Sequence, residues 1–281
     1  MKNYGIDLER EKAEQSPEDW MFGAQALPCL TDGLLDTERF EFLPIGEVQQ
    51  GKEDMMDCAS RSPINNIETK LNCLLEKGKL PHEQWFRDKG YIIVKKSPQG
   101  DLETFALSDA FVAINSGTTR SGNSIKAPID AIRKQGIIPK FMLPLEPWMT
   151  WEDYHNTERI TGSMYALGQE SLSKIGFNYE KIPLSLFKEA NKKDLMCVAG
   201  YAWSGPENGE YPRSDGPFNH AWLNIKPDTY AFDNYIDLDG DFIKKLAPDY
   251  LFYEHGYRII LGLGKKGNWW DFIIKLFTLW K

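Results

Sequence analysis

The 281-residue chain is poor in the residues that build metal sites and disulfide scaffolds: it has four cysteines and four histidines. Cys29, Cys58, Cys73 and Cys197 never stand as Cys-x-x-Cys, and none lies near a histidine in metal-ligand spacing. A structural zinc site and a disulfide-stapled fold are therefore excluded, no cofactor is expected, and free thiols in a reducing compartment fit the usage. Positive charge is also short. Lys and Arg total 33 against 41 Asp and Glu, a net charge of -8, so the chain lacks the cationic surface that tracks nucleic-acid backbones. No stretch approaches the ~20 apolar residues of a membrane-spanning helix, and the first residues, Met-Lys-Asn-Tyr-Gly-Ile-Asp-Leu-Glu-Arg, contain no secretory apolar run. The Gly/Ser/Thr-rich loop 116–124 has no lysine in phosphate-loop spacing. The acidic run Asp237-Leu238-Asp239-Gly240-Asp241 has Phe242 and Pro248 where a calcium loop needs Gly and Glu. There is no internal repeat.

Apolar residues, at 42% with 13% aromatics, suffice for a sizeable core. Ile64, Ile67, Leu71, Leu74 and Leu75 recur at helical spacing, ended by Gly78. Ser108 is placed to cap a helix over 106–114, and Gly136 to stop one over 127–135. Helices are also expected over 163–176 and 184–193, with a tryptophan-rich loop at 148–154. Short strands are expected at 91–94, 195–202, 221–225, 230–232 and 257–263. Helices dominate the first half and strands the second, which predicts an α+β architecture of two lobes with a cleft between them. Residues 1–44 read as an arm or pro-segment-like extension, and 45–264 as the main domain. Residues 265–281 contain GNWWDFIIKLFTLWK, a tryptophan-rich amphipathic helix. It suits either a membrane surface or a docking site on the protein itself or on a partner.

A thiol nucleophile needs a base, a group that orients the base, and donors for the oxyanion. Cys58 stands just ahead of the first long helical segment, where a helix N-terminus favours the thiolate. His220, in Asn219-His220-Ala221, opens a strand. Asn234 follows 14 residues later, and an adjacent strand would set its amide beside the imidazole. Cys73 and Cys197 fall in apolar surroundings and read as buried and inert. His82, His155 and His255 read as surface or structural.

From about Ile45 to Gly262 the chain resembles the papain-like cysteine peptidases. The matches, in order, are Val48-Gln49-Gln50-Gly51 with Asp57-Cys58, Ala106-Leu107-Ser108, Gly122 to Gly136 with Pro144, Asn219-His220-Ala221, Asp233-Asn234, and Gly256-Tyr257-Arg258-Ile259. The resemblance implies a papain-like two-lobed fold with a helical lobe and an antiparallel β-rich lobe. It implies hydrolysis of peptide bonds in a protein or peptide substrate by a thiol acyl-enzyme. Cys58 would be the nucleophile, His220 its base, Asn234 the orienting amide and Gln50 the oxyanion donor, with Gln49 a rival for that last role. Gln50 lies eight residues before Cys58, where the family commonly has six. Ala59 and Tyr235 stand where it commonly has aromatics and Ser-Trp, leaving Trp222 or Trp203 to cover the histidine. Pro63 leaves two openings for the helix: at Cys58 with the proline inside, or near Ser62 with the proline in the first turn. Two other functions share the fold: a peptidoglycan peptide amidase or transpeptidase, and a catalytically silent assembly protein, for example of a virus or phage particle. The expected location is accordingly cytoplasmic or virion-associated.

Overall fold

In a computed structural model of the chain, the described residues are 5–17, 19, 21, 29–35, 39–96, 100–201, 205–213, 216–226, 229–236 and 241–264. The tryptophan-rich segment after Gly264, Trp203 and residues 237–240 of the acidic loop lie outside them.

The long helix begins at the cysteine. In chain order the helices are α1 (Leu8–Ala13), α2 (Cys58–Glu76), α3 (Glu83–Asp88), α4 (Asp109–Asn115), α5 (Lys126–Gln135), α6 (Trp151–His155), α7 (Gly162–Lys174) and α8 (Phe187–Lys193). The strands are β1 (Ile92–Lys95), β2 (Leu102–Phe105), β3 (Ile175–Pro183), β4 (Met196–Gly200), β5 (His220–Lys226), β6 (Tyr230–Phe232), β7 (Ile243–Lys245) and β8 (His255–Leu263). β1 and β2 form a separate antiparallel pair, while the other six form one antiparallel sheet in the order β3-β8-β4-β5-β6-β7. The fold is α+β, with helices packed beside one six-stranded antiparallel sheet.

Helix α2 runs between the lobes and is buried from Cys58 to Leu74. Half of its residues are polar, and burial on all sides requires each of them to find a partner. Lys70 reaches Asp194 at 2.6 Å. Glu68 accepts the N–H of Leu107, and Asn72 donates to Phe42 O and accepts the N–H of Phe105. Ser62 donates to Trp222 O at 2.7 Å. These bonds fasten the helix to both lobes, while Ile64, Ile67 and Leu71 share a core with Ile129, Tyr257 and Ile259. Pro63 lies inside α2, so the helix opens at Cys58 and forgoes one intrahelical donor there.

Ser108 caps α4 by accepting the N–H of Phe111 at 3.1 Å, and its hydroxyl donates to Leu143 O at 2.8 Å. Ser108→Ala is expected to lower stability by about 1–2 kcal/mol, because it removes a cap and orphans a buried carbonyl. Urea unfolding checks this, and an unchanged midpoint would refute it. Gly136, at φ +77°, ends α5 where an added Cβ would lie 1.9 Å from Gly168 O.

Some elements differ from the sequence expectation. Residues 151–155 are helical rather than loop, because Thr150 and Asp153 form a reciprocal capping box. The expected helix at 163–176 stops at Lys174, and β3 follows, with Ile175, Phe177 and Tyr179 alternating into the core. Residues 39–42 form a 3₁₀ turn. Within the N-terminal 44 residues, Ile6 bridges Asn123 and Leu30 donates to Leu261 O. Glu11 is buried, accepting from Ile125 N, Tyr257 Oη and His255 Nε2. Burial would raise its carboxyl, but the bonds from His255 and Tyr257 outweigh this and hold it below the usual range.

Candidate active site

Cys58 and His220 each open an element, and the two elements pack together. Cys58 is the first residue of α2, and α2 packs along β5, whose first residue is His220. Strand alternation turns Ala221 toward α2, in one core cluster with Cys58, and turns Trp222 to the other face. The backbone N–H of Ala221 favours the Cys58 thiolate. Both side chains are fully buried. Burial pushes the thiol well above its ordinary value. The Ala221 N–H opposes that shift, whereas the charges of Asp57, Asp54 and Asp233 reinforce it.

His220 is oriented by Asp233, whose Oδ1 lies 2.6 Å from the ring Nε2. A carboxylate only accepts, so Nε2 carries the proton in this bond and Nδ1 is left as the basic nitrogen. This corrects the expectation that Asn234 would hold the imidazole. Asn234 Oδ1 instead accepts from Asn65 on α2 at 3.0 Å, and its Nδ2 donates to Glu47 O at 2.9 Å. The reason is pleat parity. β5 and β6 pair Leu223 with Phe232. Continuing that register sets 233 against Trp222, on the face His220 shares, and 234 against Ala221, on the face toward α2. Spacing along the chain does not distinguish these neighbours, so the sequence reading chose the wrong one for this bond.

The glutamines exchange places in a similar way. Gln50 is exposed and forms an isolated bridge with Asp54, whereas Gln49 is fully buried. Gln49 Nε2 donates to Asp54 Oδ1 at 2.9 Å and to Tyr235 Oη at 2.6 Å, and its backbone N–H bonds Asn234 O. The segment then turns back on itself, with Met55 donating to Gln49 O and Gly51 to Glu53 O. This closed turn takes up the extra length before Cys58.

Tyr235 covers the histidine. Its ring centroid lies 5.1 Å from that of His220, with Trp222 at 5.9 Å. Tyr235 Oη donates to Asp54 Oδ2, and burial followed by the charge of Asp54 holds its phenol far above the ordinary range. Behind the thiol, Asp57 stands at the N-cap of α2 without capping it. Its carboxylate accepts instead from Arg61 Nε at 2.9 Å and Tyr154 Oη at 2.6 Å, and Arg61 Nη1 reaches Asp109 at 3.2 Å. Burial pushes the Asp109 carboxyl up to about 6, against the pull of Arg61.

The remaining thiols fit the sequence reading. Cys73 and Cys197 are buried, and burial pushes Cys197 up to about 12. Among the described residues no group of three His, Cys, Asp or Glu side chains could hold a metal ion, and no helix is long and apolar enough to cross a membrane.

No family model matches the sequence, and no curated protein matches it. Solved structures do. Xylellain, a cysteine protease from Xylella fastidiosa, matches with a TM-score of 0.52 at 15% identity, covering 94% of this chain and 96% of that one. A structure from work on antibody cross-reactivity between the mite allergens Blo t 1 and Der p 1 gives 0.47 at 10% identity, covering 91% and 78%.

Proposed function

We propose that this chain, whose fold is that of the papain-like cysteine proteases, is a cysteine peptidase that hydrolyses peptide bonds through a thiol acyl-enzyme. The observation that carries the reading is the joint placement of Cys58 at the start of α2, against the residue that follows His220, with His220 Nε2 held by a buried carboxylate. Asp233 fixes the tautomer, so Nδ1 of His220 takes the thiol proton as sulfur attacks the scissile carbonyl. The thiol is raised by burial and by three carboxylates, so proton transfer to His220 has to accompany attack. The resulting imidazolium protonates the leaving amine, and water then cleaves the thioester with His220 as base. The amide of Gln49 and the backbone N–H of Cys58 are the candidate oxyanion donors. For Gln49 this requires a change of partner, since its Nε2 is engaged by Asp54 and Tyr235.

The full burial of Cys58 favours a second reading, a silent scaffold. Alkylation by an active-site-directed thiol epoxide near neutral pH, with the labelled residue located by mass spectrometry, separates the two. The peptidase reading expects fast single-site labelling of Cys58, together with casein hydrolysis that is lost in Cys58→Ala. Slow labelling spread over several cysteines, with no hydrolysis, would sink it.

A further inference from the structure

The carboxylate on His220 brings a second buried charge with it. β7 pairs with β6, setting Lys244 against Ala231. In the run Ile243-Lys244-Lys245 the alternation exposes Lys245 and turns Lys244 inward, where only 1% of it meets solvent. Its Nζ donates to Tyr235 O at 2.6 Å and lies 3.9 Å from Asp233 Oδ2 and 5.6 Å from the Tyr211 ring centroid. An ammonium is seldom buried to this degree without a counter-charge. A neutral donor would satisfy the Tyr235 carbonyl equally well. Among the described residues the carboxylate beside it is Asp233, itself fully buried and presenting Oδ1 to His220 and to the N–H of Asn234.

We infer that Lys244 is a positioning residue of the active site: it is the counter-charge of Asp233, and through Asp233 it sets the proton affinity of His220. This rests on the peptidase reading for its catalytic meaning. An unbalanced carboxylate on Nε2 would hold the imidazolium too tightly and slow proton return to the leaving amine. With Lys244 beside it, Asp233 keeps the orienting bond while its field at the ring is reduced. Among the described residues, the other charged and titratable groups near the site include Cys58, Asp57 and Asp54 from α2 and the segment before it, Tyr211, Tyr235 after β6, and Tyr250 before β8. Asp57 is balanced by Arg61, and Asp54 is bonded by Gln49 and Tyr235.

The test is a charge-swap cycle on the full chain: wild type, Lys244→Met, Asp233→Asn, the double variant and Lys244→Arg. The readouts are the pH titration of the His220 imidazole by NMR and the pH profile of Cys58 alkylation. Lys244→Met is expected to raise the His220 midpoint by about one pH unit, about tenfold in proton affinity. Asp233→Asn leaves the ammonium unbalanced and lowers the midpoint. The double variant returns it toward wild type, and Lys244→Arg leaves it in place. The alkaline limb of alkylation moves with it. A merely structural lysine would lower the amplitude without moving the midpoint. If Lys244→Met alone does not fold, the double variant compared with Asp233→Asn decides, because removing the ammonium there still raises the midpoint. A His220 midpoint that the loss of Lys244 leaves unmoved in either background would overturn the inference. Midpoints that move as expected, without His220-dependent alkylation of Cys58, would instead retain the counter-charge and overturn the peptidase reading.

Discussion

His220→Ala is expected to slow epoxide alkylation of Cys58 and peptide hydrolysis by about 10²–10⁴, the range for removing a positioned general base. The expectation follows from the thiol's surroundings. Burial and the charges of Asp57, Asp54 and Asp233 all disfavour the thiolate, and the Ala221 N–H opposes them only in part. A helix N-terminus adds a favourable dipole, but three carboxylates work against it. Without His220 the proton has nowhere nearby to go, so the rate collapses rather than declines. Raising the pH should restore part of the alkylation rate in the variant, because hydroxide then removes the proton that the imidazole no longer takes. A rate within threefold of wild type near neutral pH would refute this. Asn234→Ala is expected to act differently, loosening the 47–49 segment through the lost bonds to Asn65 and Glu47 O without changing the tautomer of His220.

Arg61→Met is expected to destabilise the folded chain by about 3–5 kcal/mol in urea unfolding, the usual consequence of removing one partner from a buried ion pair. Arg61 is 1% exposed and lies between Asp57 and Asp109. Burial by itself would lower its pKa, but Asp109 and Asp57 overcome this and raise it. Its removal leaves Asp57 with Tyr154 alone as a side-chain partner at hydrogen-bond distance, and leaves Asp109 beside the raised carboxyl of Glu68. Because Asp57 precedes the nucleophile, the same variant should also raise the Cys58 midpoint. Asp57→Asn with Arg61→Met should recover part of the stability, since the uncompensated charge is then gone. A loss below about 1 kcal/mol in the single variant would contradict this account.

Much of the scaffold was legible without coordinates because local signals and packing agree. The repeat from Ile64 to Leu75, the Ser108 cap, the Gly136 stop and the apolar runs of β4, β5 and β8 each specify their element by spacing or cap chemistry. β7 was not legible, since three residues beside an acidic loop carry almost no pattern. α6 was hidden by its tryptophans, although Thr150 and Asp153 stand at capping-box spacing.

The candidate site divides along the same line. The places of Cys58 and His220 can be read from the chain because each depends only on its own element: the first turn of a helix and the first residue of a strand. Residue order likewise excludes metal-ligand motifs and phosphate loops. Whether Asp233 or Asn234 meets the imidazole, and whether Gln49 or Gln50 faces inward, depends on the parity of a strand and the closure of a turn. Neighbouring residues point to opposite faces, and only the paired register tells them apart. Lys244 is the extreme case. Nothing in Ile-Lys-Lys-Leu distinguishes it from Lys245, and only the packing of β7 against β6 sets one lysine beside the carboxylate on His220 and leaves the other in water.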